Sequence, residues 1–465
     1  MDKILNKIKK IIPGRVFSFF QPFYHFFLSW LAALLCGRPG EKMIVVGVTG
    51  TSGKTSTVCM IARLLEEAGF KVGYTSTTMF HNGREEFLND KKMTMPGRFF
   101  SQKILKQMHQ NGCQYAIIET TSEGIRQFRH RFINYDILIF TGLYPEHIES
   151  HGSFENYKHA KGELFKHLKK CRTKYVDENR QVKKTSSEIK KIDLSRVKKT
   201  IIAKGDDEQA DYFLDFWAEE KFVYYDQAEE TSRDGVVKAK KIEYRILSYR
   251  DQGYDFSVEG EEFRLPMLGE FNVLNAMNAI CLGFSQGLET EIIKQGLGKL
   301  KGVAGRLEKI EEGQDFTVIV DYAYDPNALE KLYSTVELLD HKRIIHLLGS
   351  AGGGRDSARR GPLGKIAGEK ADIVIVSNED PYDEDPGLII DQVAAGAYYS
   401  GKKEGKDLFK IEDRREGIRK ALQLAKKNDI VLITGKGSEQ AICVQGGEKV
   451  PWDDRKVVKE ELEKI

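Results

Sequence analysis

Short apolar strands alternate with helix-patterned stretches along most of this 465-residue chain, and the alternation predicts an α/β fold. The length exceeds what one ordinary core holds, so two or three domains are expected. Polar residues directly follow several predicted strands, as they do where an open parallel sheet binds ligands. The prediction is a P-loop-type, doubly wound central domain, then a Rossmann-like α/β domain, with a short hydrophobic helical segment in front.

A glycine-rich stretch between the first predicted strand, Met43 to Val48, and a helix from Thr57 to Ala68 reads as a phosphate-binding loop. Backbone N–H groups there converge on phosphate oxygens, Lys54 reaches the outer phosphates, and the Thr55 hydroxyl ligates Mg²⁺. Val48 stands where the strict pattern has its first glycine, so a glycine-rich turn with a chance Gly-Lys-Thr is the alternative. The expected nucleotide-binding residues of the loop are Gly50, Thr51, Ser52, Gly53, Lys54, Thr55 and Ser56.

The charge balance and the cysteines exclude several classes of protein. The chain has 72 basic and 69 acidic residues, a net charge of +3, which gives no case for nucleic-acid binding. Six cysteines are scattered without a Cys-x-x-Cys pair, which argues against a zinc ribbon and against a disulfide framework. A cytoplasmic protein, and a monomer, is expected.

Residues 1–40 differ in composition from the rest. Basic residues precede an uncharged, aromatic-rich run from Phe17 to Cys36. Pro22 splits this run, and the helical part, Phe23 to Cys36, is shorter than the roughly 20 residues of a membrane-spanning helix. The pattern favours a segment lying in the interface of the inner membrane face, and the alternative is an arm packed on the protein or in a dimer. A cleaved signal peptide is disfavoured, because Leu34-Leu35 is no small-residue cleavage site.

Two predicted strands of the central domain end in polar residues that suit a metal site. Ala116 to Ile118 leads into Glu119, and Ile137 to Phe140 leads into a loop that contains His147. A carboxylate and an imidazole at these strand ends would complete a Mg²⁺ site begun by Thr55. The alternatives are a helix-capping or surface carboxylate at Glu119 and a plain loop residue at His147.

The remainder of the central domain, taken as residues 41–303, holds one further candidate. The charged stretch from Lys174 to Glu262 is predicted to be an antiparallel insertion that contains no candidate catalytic or binding residue. Asn272 then begins a helix that runs to about Gln286. It is either the cap of that helix or an amide that reads the edge of adenine.

A second α/β unit, residues 304–465, repeats the arrangement of strands followed by polar loops. Its expected strands are Val318 to Val320, Ile344 to Leu348, Ile373 to Val376 and Ile430 to Ile433. The glycine run from Gly349 to Gly354 is a weak dinucleotide signal, because no Gly-x-Gly-x-x-Gly opens the unit.

The motifs and their order resemble those of the Mur ligases, and within them the ligases that add the third residue of the peptidoglycan stem peptide. The resemblance covers about Met43 to the C-terminus. The motifs are Thr49-Gly-Thr-Ser-Gly-Lys-Thr-Ser, Glu119-Thr-Thr-Ser, Glu146-His-Ile-Glu-Ser-His-Gly, His159-Ala-Lys-Gly-Glu-Leu-Phe, Phe271-Asn-Val-Leu-Asn, Gly305-Arg-Leu-Glu, Asp321-Tyr-Ala-Tyr-Asp-Pro, Arg355-Asp and Gly435-Lys-Gly-Ser-Glu.

This resemblance implies an ATP-dependent amide-forming ligase with two Mg²⁺ sites, acting on a muramyl peptide and a diamino acid. The muramyl peptide is UDP-linked, or lipid-linked if residues 1–40 lie on the membrane. Lys161 matches the lysine that the family carbamylates, and a carbamate suits two Mg²⁺ ions as an ammonium does not. The implied catalytic residues are Lys54, Glu119, His147 and Lys161, and the implied metal ligands are Thr55, Glu119, His147 and carbamylated Lys161. The implied nucleotide contacts beyond the loop are Asn272, Asn275, Arg306, Asp321 and Tyr324. The implied amino-acid contacts are Arg355, Glu379, Asp380, Tyr382, Gly435 and Glu439, and the acceptor contacts are Thr94, Thr121 and Ser122.

Several positions depart from the family pattern. Tyr324 replaces a histidine beside the nucleotide, and Tyr382 replaces the arginine of the Asp-Asn-Pro-Arg signature for diaminopimelate. A pocket with an added carboxylate and no arginine is expected to prefer a distal ammonium, as in lysine or ornithine. About 40 residues precede the loop, too few for the family's N-terminal UDP-binding domain. Two other functions stay open: a folylpolyglutamate-synthetase-like ligase, and a non-catalytic membrane-associated nucleotide-binding module.

Overall fold

A computed structural model describes residues 14–146, 148–183, 194–228, 238–354 and 357–465, with the side chains described from residue 20 onward. Its largest sheet has eleven strands in the order β14-β13-β12-β11-β10-β6-β1-β5-β2-β3-β4, with strands numbered along the chain. The seven from β12 to β2 in that order are parallel, and antiparallel strands flank both ends. The strands are β1 (Ile44–Thr49), β2 (Val72–Thr75), β3 (Met79–His81), β4 (Glu86–Leu88), β5 (Tyr115–Glu119), β6 (Ile137–Phe140), β10 (Thr200–Lys204), β11 (Glu220–Asp226), β12 (Lys240–Arg250), β13 (Gly253–Val258) and β14 (Glu261–Leu265).

Helices cover both faces of this sheet, which makes it doubly wound, as predicted. Alternate residues of β1 point to opposite faces, so Ile44, Val46 and Val48 join one core while Val45 joins the other. On the first face lie α2 (Lys54–Glu67), α8 (Phe271–Ser285) and α9 (Thr290–Gly298). On the second lie α3 (Arg98–Gln110), α6 (Phe154–Leu168) and α7 (Ala210–Leu214). Shorter elements are α4 (Ser122–Arg126), α5 (Ile148–His151) and a three-stranded sheet of β7 (Lys174–Val176), β8 (Val182–Lys183) and β9 (Ser195–Val197).

The expected antiparallel insertion after Lys174 is wrong for its middle part. Strand β10 lies parallel to β6, and β11 lies parallel to β10, so both extend the parallel sheet. Their buried runs are short, and the charged loops around them dominate the local composition. The antiparallel pairing that the alternating pattern of Tyr254 to Val258 indicates is confirmed in β12, β13 and β14.

A second, six-stranded sheet has the order β15-β16-β20-β17-β18-β19 and is parallel except at β15. The predicted domain boundary at 303/304 falls in the connection between α9 and β15. The strands are β15 (Glu308–Ile310), β16 (Thr317–Val320), β17 (Ile344–Leu348), β18 (Ile373–Ser377), β19 (Leu408–Ile411) and β20 (Ile430–Ile433), with a separate hairpin of β21 (Ala441–Val444) and β22 (Glu448–Pro451). The helices are α10 (Pro326–Val336), α11 (Arg360–Lys370), α12 (Pro386–Tyr399), α13 (Arg414–Leu424) and α14 (Asp454–Leu462), with 3₁₀ turns at Pro39–Glu41, Ser357–Arg359 and Gln445–Gly447.

The N-terminal helix α1 (Gly14–Leu35) runs through Pro22, so the expected break at that residue is wrong. Proline removes one hydrogen bond, and the helix keeps its course where tertiary contacts hold it. The ring of Phe26 contacts those of Phe128 and Phe132, and Ser29 Oγ donates to the Phe128 carbonyl at 2.9 Å. One face of α1 is therefore docked on the central domain.

The opposite face of α1 carries aromatic and aliphatic side chains that are more than half exposed: Phe20, Phe23, Phe27 and Leu35. Within the described part of the chain, no helix has both the length and the apolar character to cross a membrane. The basic residues from Lys3 to Lys10 lie outside the described residues.

A buried carboxylate joins three segments at the amino edge of the central sheet. Asp136 accepts hydrogen bonds from Lys174 Nζ at 2.5 Å, from Lys199 Nζ at 2.8 Å and from the Val45 amide at 2.8 Å. Both lysine side chains are almost fully buried. Burial lowers the pKa of Lys174 to about 8, although the charge of Asp136 acts in the opposite direction.

Candidate active site

The phosphate-binding loop lies between β1 and α2, as the sequence predicts. Gly50 and Gly53 have φ values of 156° and 78°, in the region that favours glycine. A Cβ at Gly50 would lie 2.0 Å from Thr141 Oγ1, and one at Gly53 would lie 2.4 Å from Asn275 Oδ1. The loop therefore packs directly against the β6 loop and against α8, and neither glycine has room for a side chain.

Two lysines meet at one carbonyl of this loop. Lys54 Nζ donates to Gly50 O at 3.2 Å and to Thr51 O at 2.7 Å, and Lys161 Nζ donates to the same Gly50 O at 2.8 Å. Burial lowers the pKa of both ammonium groups, and for Lys161 the charge of Lys54 lowers it further, to well below its ordinary value. The direction of this shift favours the neutral amine of Lys161, relative to a lysine in water.

The predicted metal ligands Thr55 and Glu119 are in contact. Thr55 Oγ1 donates to Glu119 Oε2 at 2.9 Å, and Thr77 donates to both oxygens of the same carboxylate, from its amide at 2.8 Å and its hydroxyl at 2.9 Å. Glu119 is 1% exposed at the end of β5, so the capping and surface alternatives are wrong. A hydroxyl beside a carboxylate supplies the oxygen ligands that Mg²⁺ prefers.

His147, the other predicted metal ligand, lies outside the described residues. Over the described ranges, no group of three or more His, Cys, Asp or Glu side chains is arranged to hold a metal ion. Its neighbour Glu146 is buried and forms an ion pair with Arg359 of the second sheet unit at 3.4 Å. This ion pair joins the residue that precedes His147 in the sequence to the second sheet unit.

The predicted adenine-binding pair lies inside α8, next to the phosphate loop. Asn275 Nδ2 donates to Asn272 Oδ1 at 3.0 Å, and Asn272 Nδ2 donates to Leu268 O at 2.7 Å. The capping alternative for Asn272 is wrong, because Glu270 occupies the N-cap and Asn272 is a residue within the helix.

The other predicted nucleotide residues lie where the second unit begins. Asp321 accepts from the amides of Leu307 at 2.7 Å and Ala323 at 2.6 Å, and burial raises its pKa. The Arg306 guanidinium lies 4.2 Å from the centre of the Tyr322 ring. The ring of Tyr324 is in edge contact with Tyr322, so an aromatic surface stands where the family pattern has histidine.

The predicted amino-acid residues converge at the carboxyl edge of the second sheet, except Arg355, which lies outside the described residues. Asp380 Oδ1 accepts from Lys436 Nζ at 2.8 Å, and Glu439 Oε2 accepts from the same ammonium at 2.9 Å. Glu379 is buried against Gly435, whose φ of 103° leaves no room for a Cβ beside that carboxylate, and burial raises the pKa of Glu379. Tyr382 is held by its amide, which donates to Cys443 O at 3.0 Å.

Of the predicted acceptor residues, Thr94 lies one side chain away from the Glu119 carboxylate. Thr94 Oγ1 lies 2.8 Å from Thr77 Oγ1, which in turn contacts Glu119. Thr121 caps α4 by accepting from the Gly124 amide at 3.1 Å, and Ser122 Oγ lies 3.1 Å from His151 Nε2.

Sequence reasoning missed three cations at the site: Lys92, Arg359 and Lys436. Lys436 lies in the Gly435 to Glu439 motif, so the sequence motif alone could have identified it. Lys92 and Arg359 stand in ordinary charged stretches, and their partners come from the other sheet unit. No local pattern identifies such residues.

The family model of the Mur ligase middle domain matches residues 48–283, and that of the Mur ligase glutamate ligase domain matches residues 305–437. The UDP-N-acetylmuramyl-tripeptide synthetase of Roseiflexus sp. (strain RS-1) is 36% identical over 431 residues, 92% of this chain and 80% of that protein. The UDP-N-acetylmuramoyl-L-alanyl-D-glutamate–2,6-diaminopimelate ligase of Syntrophomonas wolfei is 32% identical over 446 residues, covering 94% and 81%. A solved Mycobacterium tuberculosis folylpolyglutamate synthase with ADP superposes with a TM-score of 0.62 at 15% identity, covering 88% and 91%, which shows a common fold.

Fold, loop and matches together define an ATP-dependent acid–amino acid ligase. Its central domain is the ATPase unit and its C-terminal domain is Rossmann-like. The chain belongs to the Mur ligase family.

Proposed function

We propose that this ligase joins a diamino acid to the free carboxylate of a muramyl dipeptide in peptidoglycan synthesis, with release of ADP and phosphate. The observation that carries the proposal is the carboxylate pair Asp380 and Glu439, which holds alkylammonium groups at 2.5 to 2.9 Å. Such a pair suits the distal ammonium of a diamino acid. The muramyl-peptide ligases at 36% and 32% identity support the same acceptor class.

The proposed reaction proceeds through an acyl phosphate. The terminal phosphoryl group of ATP moves to the acceptor carboxylate, and the amine of the amino acid then attacks the acyl carbon and displaces phosphate. Lys54 and Arg306 neutralise the charge on the transferring group, and the loop amides orient it. Asn272 and Asn275 position the adenine, and Asp321 the ribose.

Thr55 and Glu119 are the residues that would hold the first Mg²⁺, and His147 the second. The metal, when bound, supplies charge stabilisation for the phosphoryl oxygens. Thr77 fixes the orientation of the Glu119 carboxylate through two hydrogen bonds, so that Glu119 is preorganised for this task.

Carbamylation of Lys161 is part of the proposal. Only a neutral amine combines with CO₂, and burial beside Lys54 lowers the pKa of Lys161 well below its ordinary value. The resulting carbamate anion would face the cation of Lys54 and the metal region, where an ammonium is repelled.

An amino-acid panel tests the proposed function. With ATP, Mg²⁺ and UDP-muramoyl dipeptide, L-lysine or L-ornithine is expected to give faster ADP release than 2,6-diaminopimelate, because Tyr382 offers no cation to a distal carboxylate. The measurement is kcat/KM from coupled ADP release, with a folate substrate in a parallel assay. Turnover with folate alone would favour the folylpolyglutamate alternative, which the common fold makes the second candidate. ATP binding without turnover on any substrate would favour the non-catalytic module.

We further propose that the exposed face of α1 lies on the cytoplasmic face of the membrane. Lys103 and Lys106 of the neighbouring helix α3 lie near Cys36, directly after the end of α1. Exposed aromatic side chains together with basic residues suit a surface of anionic lipid headgroups. A lipid-linked acceptor would be concentrated by sharing that surface.

Sedimentation with anionic liposomes tests this location. The full chain is expected to pellet, and the double variant Phe23→Glu, Phe27→Glu is expected to stay in the supernatant, because each charge opposes burial in the interface. Tyr399→Glu, which changes an exposed aromatic residue of α12, is the matched control. If all three proteins remain in the supernatant, α1 is a packing arm.

A further inference from the structure

A lysine of the central domain occupies the amino-acid pocket of the C-terminal domain. Lys92 Nζ lies 2.9 Å from Asp380 Oδ2 and 2.5 Å from Glu439 Oε2. The Lys92 side chain is 5% exposed, whereas that of the adjacent Lys91 is 40% exposed and pairs with Asp90. Lys92 also has a φ of 54°, in the sparsely populated left-handed region.

Every oxygen of the two carboxylates already accepts a hydrogen bond. Asp380 Oδ1 accepts from Lys436 Nζ and from the Cys443 amide, and its Oδ2 accepts from Lys92. Glu439 Oε1 accepts from the Tyr322 hydroxyl at 3.0 Å, and its Oε2 accepts from both lysines. The two ammonium groups balance the charges of Asp380 and Glu439, so a further ammonium at these two carboxylates would have to compete with the two lysines.

The two lysines of the cluster are held differently. Lys436 also donates to Ala441 O at 2.8 Å and is fully buried, so all three of its protons are used within its own domain. Lys92 arrives from a loop of the other domain. Burial raises the pKa of Glu439, but the charges of Lys436 and Lys92 outweigh this effect and hold that pKa below its usual value. Lys92 is therefore the lysine of the pair that can leave without unpairing a group of the C-terminal domain's own fold.

We propose that Lys92 is a specificity-determining residue whose ammonium occupies the subsite of the distal ammonium of the diamino acid and is displaced when that substrate binds. This inference rests on the proposed function and names its amino-acid class. Binding is then an exchange of one alkylammonium for another. An amino acid without a distal amine has no ammonium group that could replace Lys92 at Asp380 and Glu439, so Lys92 stays in place when it binds.

The first test compares Lys92→Met with wild type and with the matched control Lys91→Met. Methionine keeps much of the apolar stem of lysine and removes the competing charge. KM for L-lysine is therefore expected to fall about 10-fold, which is the change expected if the open pocket rises from a tenth of the molecules to all of them. KM for L-norleucine, which has the same chain without the distal amine, is expected to stay unchanged. An unchanged KM for L-lysine overturns the inference. A raised KM for 2,6-diaminopimelate with L-lysine unaffected also overturns it, since Lys92 would then bind a distal carboxylate.

The second test uses the wild-type protein and does not depend on turnover. Reductive methylation followed by mass spectrometry reports the reactivity of each lysine amine, with Lys91 as the internal reference. Lys92 is expected to react slowly alone and with L-norleucine, and faster with saturating L-lysine. Equal Lys92 reactivity under all three conditions overturns the inference. The two failures can be distinguished. If the proposed function is wrong, wild type shows no amino-acid-dependent ADP release, whereas the labelling experiment reports on Lys92 without any turnover.

Discussion

Replacing Lys54 with alanine is expected to lower amino-acid-dependent ADP release by about 10²-fold or more, as loss of one electrostatic stabiliser does. Lys54 donates to two carbonyls of its own loop, Gly50 O and Thr51 O, so its ammonium is held beside the loop that is expected to receive the phosphates. The effect should fall on kcat, because the charge that Lys54 neutralises grows during phosphoryl transfer.

Lys170→Ala, which changes an exposed lysine just after α6, is the control for the loss of one positive charge. Thermal unfolding of both variants establishes that they remain folded. If Lys54→Ala turns over at close to the wild-type rate, the loop is not the phosphate-binding loop of the reaction.

The second large effect is expected at Lys161. Lys161→Ala should lose about 10³-fold in rate, at the upper end of what one missing charged group costs, because the variant lacks the anion that the carbamate supplies. Added acetate should restore part of the activity, since a short carboxylate fits the space vacated by the side chain and replaces the anion. The measurement is ADP release as a function of acetate concentration.

Lys166→Ala, on the same helix α6 and 61% exposed, is the control and should respond to acetate as wild type does. In wild type, added bicarbonate should raise activity after CO₂ has been stripped from the buffer. Full activity of Lys161→Ala without any response to acetate would mean that Lys161 is a packing residue of α6.

The parts of the site that were predictable are those encoded locally. Gly50, Gly53 and Lys54 stand between a strand and a helix, and Glu119 follows a strand directly, so pattern and spacing were enough. The same holds for the strands of the second sheet, whose short β-branched runs are bounded by polar loops.

The parts that escaped prediction depend on contacts between distant segments. Lys92 and Asp380 are 288 residues apart, and Arg359 and Glu146 are 213 apart, so each pair exists only because the two sheet units dock. The course of α1 through Pro22 has the same origin, because the docking of Phe26 and Ser29 outweighs a local preference to break.

Asp136 and its two lysines bear on how this sequence changes over time. A single substitution of the aspartate would leave Lys174 and Lys199 buried without their counter-ion, at a cost of about 3–5 kcal/mol. That is comparable with the whole stability of a marginal domain, about 5 kcal/mol at the low end. The three positions are therefore expected to change together in evolution. A sequence that replaces the aspartate alone is selected against, whereas one that replaces all three residues with apolar residues stays stable.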